Sequence, residues 1–454
     1  MIKFPRDGVE AAYRRLDDMI AQTAVEEGVD FNAHAGQMLE KLLIPAYEVM
    51  YGTYYDYLAA SRPALVMCDF MADACVDAAH TLKLPFVVAM PTLMPGVTDA
   101  PYNLGWNDDP HRPATTERMP LWQKLREKVA GPLLAMRHLM GPLLKLEATR
   151  KRLGVEPMYS HPAKRWAASL KIVTTFAGFE VPRPLDPLVH LVGPVDTHEN
   201  SMLTPELEAF LEGRRRVVYV ALGQWVVLAP RDALEAVLES GLADGAIWAT
   251  SPKNAPAFEG AALPRGVLLQ RWVPQGAVLR HAATAAFVSH GGIESCHEAM
   301  RAGLPMVIMC VQGDQCTNAA KLSELGMAVG LTRGDVRSGA LGPALTTILE
   351  DKNGSFRAAA NRMRGLAAIA GRRSKDAAAD LLEMALNYGW SHLMPPSSRM
   401  PWWAASNADV IAVCAAAAAA VLGTLAAAAV MLTWRARGGG KREGEAEFHA
   451  KKRE

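Results

Sequence analysis

The chain has 454 residues, which is long enough for two α/β domains, each with a sizeable core. Its 48 basic and 47 acidic residues nearly cancel, so no excess of positive charge indicates a nucleic-acid partner. The six cysteines show neither the short paired spacing of a zinc site nor the density of a disulfide scaffold. We interpret most of them as small buried residues.

The order of apolar runs and helical patterns predicts the fold class. Three strand candidates, "PALVMCDF", "LPFVVAM" and "LKIVTTF", occupy the amino-terminal half. The proline-containing stretch "FEVPRPLDPLVHLVGPVDTHENSMLTPEL" then has the character of an interdomain linker. Six more runs alternate with helical patterns, which predicts an α/β fold with doubly wound parallel sheets. These six begin at Val217, Gly245, Gly266, Ala285, Pro305 and Ala328.

One strand end in the second set carries a pattern typical of an anion site. In "AAFVSHGGIESCHEAM" an apolar run ends at His290, two glycines follow, and a helical segment begins. Ligands of open α/β sheets lie beyond the carboxyl ends of the strands. The first amides of a helix lack partners within the helix and favour an anion such as phosphate. A glycine turn between a strand and a helix is common, however, so this pattern alone leaves the ligand open.

The residues on both sides of this strand end indicate which ligand binds there. From Trp272 to Gln315 the chain reads "WVPQGAVLRHAATAAFVSHGGIESCHEAMRAGLPMVIMCVQGDQ". These residues resemble the donor-binding signature of the UDP-glycosyltransferases (glycosyltransferase family 1, GT-B fold), with WxPQ, LxH, FxxHxG, SxxE, GxP and DQ in the family's spacing. The animal-type microsomal enzymes are the more similar members, and the resemblance leaves open which sugar the donor carries. The resemblance implies two Rossmann-like domains and transfer of a hexose from a UDP-sugar to a hydroxyl of a small lipophilic acceptor, with inversion. It implies no cofactor, because the UDP-sugar is a co-substrate, and no metal ion.

The resemblance also assigns roles to individual residues. Trp272 would stack on uracil and Gln275 would contact it, while Glu298 would accept hydrogen bonds from the ribose hydroxyls. The diphosphate would lie among residues at two strand ends, and the transferred sugar would contact the DQ pair. The diphosphate group comprises Gly223, His290, Gly292 and Ser295, and the sugar pair is Asp314 and Gln315.

The chain departs from the family pattern in two places. Glu294 stands where relatives usually have asparagine, and a carboxylate there would repel a diphosphate unless it turns away, is protonated or meets a cation. Family members also use a histidine base after their first strand and an aspartate that orients it. Asp69 matches the aspartate, but the histidine has no match, since His34 lies in a helical pattern.

These gaps suggest that the first strands of the amino-terminal domain are missing. We hypothesise that Met1 is an internal methionine of a reading frame that begins about 60 to 90 residues earlier with a signal peptide and the base histidine. An alternative function is then a membrane-anchored UDP-sugar-binding protein that lacks the base and does not catalyse.

The carboxyl-terminal region carries a membrane-span pattern. Residues 410–434 contain no charge and would extend about 37 Å as a helix, enough to cross a core of about 30 Å. A buried Ala-rich helix is the alternative. Basic residues follow Trp434, and "KKRE" at the end resembles the dilysine signal for return to the endoplasmic reticulum. We therefore expect a single-pass membrane protein of the endoplasmic reticulum, with a lumenal amino-terminal part and a cytosolic tail.

The expected organisation of the chain follows from these elements. The incomplete acceptor-side domain occupies 1–190, the linker 191–214, the UDP-sugar domain 215–385, a return helix and linker 386–409, the transmembrane helix 410–434 and the tail 435–454.

Overall fold

The structure is a computed structural model, and it describes most of the chain. The described residues are 36–37, 39–94, 97, 100–105, 109–156, 166–195, 201–223, 231–250, 263–311 and 313–450. Helices and strands are numbered below in chain order over this part of the protein. His34 lies outside it.

The first sheet has four parallel strands in the order β1-β2-β3-β4. Buried apolar residues line β2 and β3, as expected for strands covered on both faces, whereas Met67 on the edge strand β1 is 55% exposed. A π-helical turn, Arg126–Ala130, joins α3 to α4. The elements are α1 (Ile44–Ser61), β1 (Val66–Asp69), α2 (Asp73–Thr81), β2 (Phe86–Met90), α3 (Leu121–Leu125), α4 (Gly131–Arg152), β3 (Leu170–Val173) and β4 (Val189–Leu191).

The second sheet has six parallel strands with helices on both faces. Two clusters of buried apolar side chains, one on each face, form its core, and Tyr219, Trp248 and Phe287 are the largest members. Its first elements are α5 (Pro205–Leu211), β5 (Val217–Ala221), α6 (Arg231–Glu239), β6 (Gly245–Ala249), β7 (Val267–Gln270), α7 (Gln275–Arg280), β8 (Thr284–Ser289) and α8 (Ile293–Ala302). They are followed by β9 (Met306–Met309), α9 (Gln315–Glu324), β10 (Ala328–Leu331), α10 (Arg333–Arg337), α11 (Leu341–Glu350), α12 (Ser355–Gly371) and α13 (Ser374–Tyr388).

The strand order of the second sheet, β10-β9-β8-β5-β6-β7, places a topological switch point between β5 and β8. From β5 the chain first adds β6 and β7 on one side, and it then returns to add β8, β9 and β10 on the other. The helices that leave neighbouring strands at such a point diverge, and a crevice opens at the carboxyl ends of the strands.

The predicted α/β class is confirmed, and all nine predicted strands are present. The structure differs in the stretch that the sequence indicates as a linker, because β4 joins the first sheet there and α5 follows, with its amino terminus capped by Thr204. It also differs at the cysteines. Five of the six are buried as expected, but four of them form the disulfides Cys68–Cys75 and Cys310–Cys316.

The last 62 residues, Leu393–Glu454, form a separate unit. After a short 3₁₀ turn at Pro396–Arg399 it contains α14 (Trp402–Ala405) and α15 (Ala408–Ala450). Within the 27 residues Ala408–Trp434 of α15, an unburied stretch of 18 residues has a mean hydropathy of 2.3, so this helix is long and apolar enough to span a membrane. The helix continues through most of the predicted tail.

Candidate active site

The crevice at the switch point is closed on one side by the turn from β8 into α8. Gly291 has a φ of +87°, and a β-carbon there would lie 2.6 Å from Cγ2 of Ile308 and 3.0 Å from the carbonyl oxygen of Gln315. Only glycine fits this position. The turn directs the first amides of α8 toward the carboxyl end of the sheet, where they favour an anion.

His290 and Gly223 meet across the two strands of the switch point. Gly223, just beyond β5, has a φ of +67°, and a β-carbon there would lie 3.0 Å from Nε2 of His290. The Nδ1 atom of His290 is buried without a hydrogen-bond partner among the described residues. Burial lowers the pKa of His290 to about 4, so the imidazole is neutral at neutral pH. His290 can therefore exchange hydrogen bonds with a bound anion but contributes no positive charge.

Three of the predicted binding residues form one hydrogen-bonded cluster beside this turn. Nε2 of Gln275, at the start of α7, donates to Oε2 of Glu298 and, at 3.2 Å, to Oγ of Ser295. The hydroxyl of Tyr219 on β5 donates to Oε1 of Gln275 at 3.3 Å. The sequence did not indicate Tyr219, because a buried tyrosine on an apolar strand gives no sign of its partner. The cluster fixes a carboxylate and two polar groups at the edge of the crevice.

Trp272 stands apart from that cluster. It follows β7, and 71% of its surface is exposed, so a planar ring can reach its indole face.

The pair Asp314 and Gln315 starts helix α9. Asn318 donates to Oδ2 of Asp314 at 2.7 Å and to the carbonyl oxygen of Gly291 at 3.0 Å, which ties this loop to the α8 turn. Oε1 of Gln315 accepts from the amide of Val311 at 2.9 Å. Burial raises the pKa of Asp314. The loop is also closed covalently by the disulfide Cys310–Cys316.

Comparison with known proteins identifies the family. The model of a family described as "UDP-glucoronosyl and UDP-glucosyl transferase" matches residues 144–442. A UDP-glycosyltransferase of Talaromyces amestolkiae is 30% identical over 394 residues, which cover 78% of this chain and 73% of the relative. The chain belongs to the UDP-glycosyltransferase family. It is thus similar to enzymes that use a UDP-sugar as donor. Mouse UDP-glucuronosyltransferase 1A7 is 29% identical over 251 residues, 54% of this chain and 45% of that protein.

Solved structures agree on the fold of this UDP-glycosyltransferase. The glycotransferase of kitacinnamycin superposes with a TM-score of 0.58 at 20% identity, covering 79% of this chain and 84% of that one. The calicheamicin glycosyltransferase CalG4 gives a TM-score of 0.50 at 20% identity, covering 80% and 83%. The GT-B fold predicted from the sequence is therefore confirmed.

Glu294, which the sequence analysis singled out, lies in the first turn of α8. Its side chain is exposed. The positive end of the helix macrodipole favours a carboxylate at this position, and the same position is where an anionic ligand would approach.

Asp69 ends β1, which is the outer strand of the first sheet among the described residues. In the part of the chain that the structure describes, its carboxylate accepts one hydrogen bond, at 2.8 Å from the amide of Met71, and no histidine contacts it. Beside its loop lies an apolar cavity of about 280 Å³. The lining includes Tyr47, Met50, Phe70, Met71, Met94 and Trp166.

A buried polar network between the two sheets was not predicted from the sequence. Glu180, 3% exposed, accepts from the Thr92 hydroxyl at 2.6 Å and from the Lys321 ammonium of α9 at 2.7 Å. Burial raises the pKa of Glu180, but Lys321, Thr92 and Arg183 outweigh it and hold the pKa below its usual range. Glu180 lies in a phrase that reads as linker, so only the folded structure shows that it pairs with the helix that Asp314 begins.

Proposed function

We propose that this UDP-glycosyltransferase transfers a hexose to a hydroxyl of a small lipophilic acceptor, with inversion at the anomeric carbon. The meeting of predicted binding residues at the β5/β8 switch point is the observation that carries the proposal. Gly223, His290 and the α8 turn converge there, and the Gln275–Ser295–Glu298 cluster stands beside them. A diphosphate at the turn would bring its ribose to Glu298 and its uracil toward Trp272.

Backbone amides at the start of α8 would provide most of the stabilisation of the leaving group, UDP. The acceptor oxygen attacks the anomeric carbon, the bond from that carbon to the β-phosphate oxygen breaks, and negative charge grows on UDP. The first amides and the macrodipole of α8 favour that charge. His290 is neutral, so it supports the diphosphate through hydrogen bonding. This single displacement calls for no covalent intermediate, cofactor or metal ion.

The acceptor would lie on the side of Asp69. The cavity beside the Asp69 loop is lined mainly by apolar side chains, which suits a lipophilic acceptor. In the family the acceptor's proton passes to a histidine base, which has no match in this sequence, and Asp69 would orient that base. The alternative proposal, a binder without a base, differs only at this step.

The test uses the full chain in detergent with a UDP-sugar and a panel of phenols and lipophilic alcohols. We expect UDP release that depends on the acceptor, and a glycoside whose anomeric configuration is opposite to that of the donor, as determined by NMR. Asp69→Asn should lower kcat and leave the KM for the UDP-sugar unchanged. Binding of the UDP-sugar without UDP release for any acceptor would favour the non-catalytic binder.

We also propose that α15 spans the membrane of the endoplasmic reticulum, with the residues before it in the lumen and the tail in the cytosol. The basic residues after Trp434 support this orientation. The two disulfides support it as well, because they lie on the side that would be lumenal and disulfides persist in oxidising compartments. In sealed microsomes, protease should remove a tag after Glu454 and spare the donor-site residues. Degradation of those residues without detergent would contradict the orientation.

A further inference from the structure

An apolar stripe runs along the helical segment from α3 to α4. Its seven large side chains recur every three or four residues, the spacing that places them on one face of a helix. Each is exposed, with 42% to 63% of its surface accessible. The members of this α3–α4 stripe are Trp122, Leu125, Val129, Leu133, Met136, Met140 and Leu144.

Other residues attach the helix to the first sheet. Pro142, Leu146 and Thr149 are buried, and Arg150 donates to Asp77 of α2 at 2.8 Å. Among the described residues, the stripe is therefore not part of the core. Monomeric proteins rarely expose apolar patches of this extent, and such a patch marks an interaction surface.

The charge around the stripe indicates the kind of partner. Residues 121–152 contain eight basic and two acidic side chains, a formal charge of +6. The two acids, Glu127 and Glu147, are both ion-paired, with Arg112 and Arg150. Arg150 is buried and pairs with Asp73 and Asp77, so its charge does not count toward the surface. After subtraction of Arg150, and of Glu40 and Glu48, which pair with Lys145 and Arg152, the surface remains positive. An apolar face with basic flanks suits the interface of an anionic bilayer.

We propose that the α3–α4 stripe lies in the interfacial region of a membrane that contains anionic lipid. Two copies of this basic helix would repel each other, whereas anionic headgroups neutralise it. The proposal goes beyond the reaction and rests on the proposed span, since a chain held by α15 keeps the stripe at a high effective concentration near the bilayer.

A membrane on the α3–α4 stripe would lie close to the proposed acceptor cavity. Leu146 of α4 lines the apolar cavity beside the Asp69 loop, and Leu144 belongs to the stripe on the other side of the same helix. A bilayer on the stripe is therefore about one helix diameter, roughly 10 Å, from the cavity. A lipophilic acceptor dissolved in the membrane could enter the cavity from that side.

The test measures whether Trp122 touches lipid. The full chain and its Trp122→Phe variant are placed, one chain per disc, in nanodiscs of phosphatidylcholine and phosphatidylserine with or without brominated acyl chains. The difference in tryptophan emission between the two proteins reports Trp122 alone. We expect brominated lipid to quench this emission about twofold or more, and less in pure phosphatidylcholine or at high salt.

Matched variants distinguish lipid contact by the stripe from an effect that any exposed apolar residue would produce. Leu125→Gln, Leu133→Gln and Met140→Gln together should abolish the quenching of Trp122. Met202→Gln with Ile369→Gln, two exposed apolar residues of the other half of the chain, should leave it unchanged. Equal emission in brominated and unbrominated discs overturns the proposal. So does cross-linking of Leu133→Cys chains to each other without quenching, which assigns the stripe to a second copy. A failed span would differ from both, because the chain would not enter discs at all.

Discussion

At the residue scale, Glu298 carries the contact that should set donor affinity. Its carboxylate already accepts a hydrogen bond from Gln275 and would accept two more from the ribose. Hydrogen bonds to a charged group contribute about 1.5–3 kcal/mol, so Glu298→Gln should raise the KM for the UDP-sugar about tenfold or more. We expect kcat to change little. Steady-state kinetics and calorimetric titration with UDP measure both effects, with exposed Glu239→Gln as the control. Unchanged UDP affinity would remove Glu298 from the site.

Glu294 should weaken the same site through its charge. An exposed carboxylate near a bound diphosphate costs about 1 kcal/mol in water-like surroundings. Glu294→Gln should therefore tighten UDP binding by about threefold to tenfold, and the gain should shrink at high salt because salt screens exposed charges. Titrations at low and high ionic strength measure it. Weaker binding by the Gln variant would mean that the carboxylate serves the site, for example through a cation.

How far these residues could be predicted depends on what the sequence encodes locally. The spacing of Gln275, Ser295 and Glu298 within the signature was sufficient to propose them, and the structure brings them together. The neutral state of His290 could not be predicted, because it follows from burial between two strands that are distant in sequence. Tyr219 and Glu180 were missed because their hydrogen-bond partners are also distant in sequence.

At the scale of elements, each disulfide closes one proposed site loop. Cys68–Cys75 joins β1 to α2 around Asp69, and Cys310–Cys316 joins the end of β9 to α9 around Asp314. Small displacements of positioned groups cost up to about a hundredfold in rate. Cys310→Ala with Cys316→Ala should therefore raise the KM for the UDP-sugar.

Cys68→Ala with Cys75→Ala is the matched pair. It should lower kcat and spare that KM, because under the proposed function its loop would face the acceptor. Steady-state kinetics of the two double variants test whether one disulfide affects the KM for the UDP-sugar and the other affects kcat. Each variant is compared with wild type before and after addition of reductant. Equal effects of both pairs on one parameter would show that the disulfides contribute only general stability.

The sequence was sufficient to predict strands and helices wherever apolar residues recur at a regular spacing over enough positions. The strand β4 was missed because it has only three residues between prolines and glycine, and α5 because prolines and a polar run surround it. The disulfides were missed because each joins cysteines that become neighbours only when a strand and its next helix pack together.

At the scale of the whole molecule, the pair Glu180–Lys321 joins the two sheets. Removing one partner of a buried ion pair leaves an uncompensated charge and costs about 3–5 kcal/mol. Lys321→Met should lower the free energy of unfolding by up to about that amount, since Arg183 at 3.7 Å remains beside Glu180 as a second cation. Denaturant unfolding in detergent measures the loss.

The double variant Glu180→Gln with Lys321→Met should recover part of the loss, because the buried carboxylate that lost Lys321 is then removed, while Arg183 gives up one ion pair. Surface pairs such as Lys352–Glu350 serve as the control and should cost less than about 1 kcal/mol when broken. Additive losses in the double variant would contradict a direct coupling across the two sheets.

The most direct test of the central claim is a structure of the full chain with UDP bound. We predict the diphosphate within hydrogen-bonding distance of the first amides of α8, the ribose hydroxyls on Glu298 and the uracil against Trp272. UDP bound anywhere other than the crevice between β5 and β8, or with its ribose away from Glu298, would contradict the account.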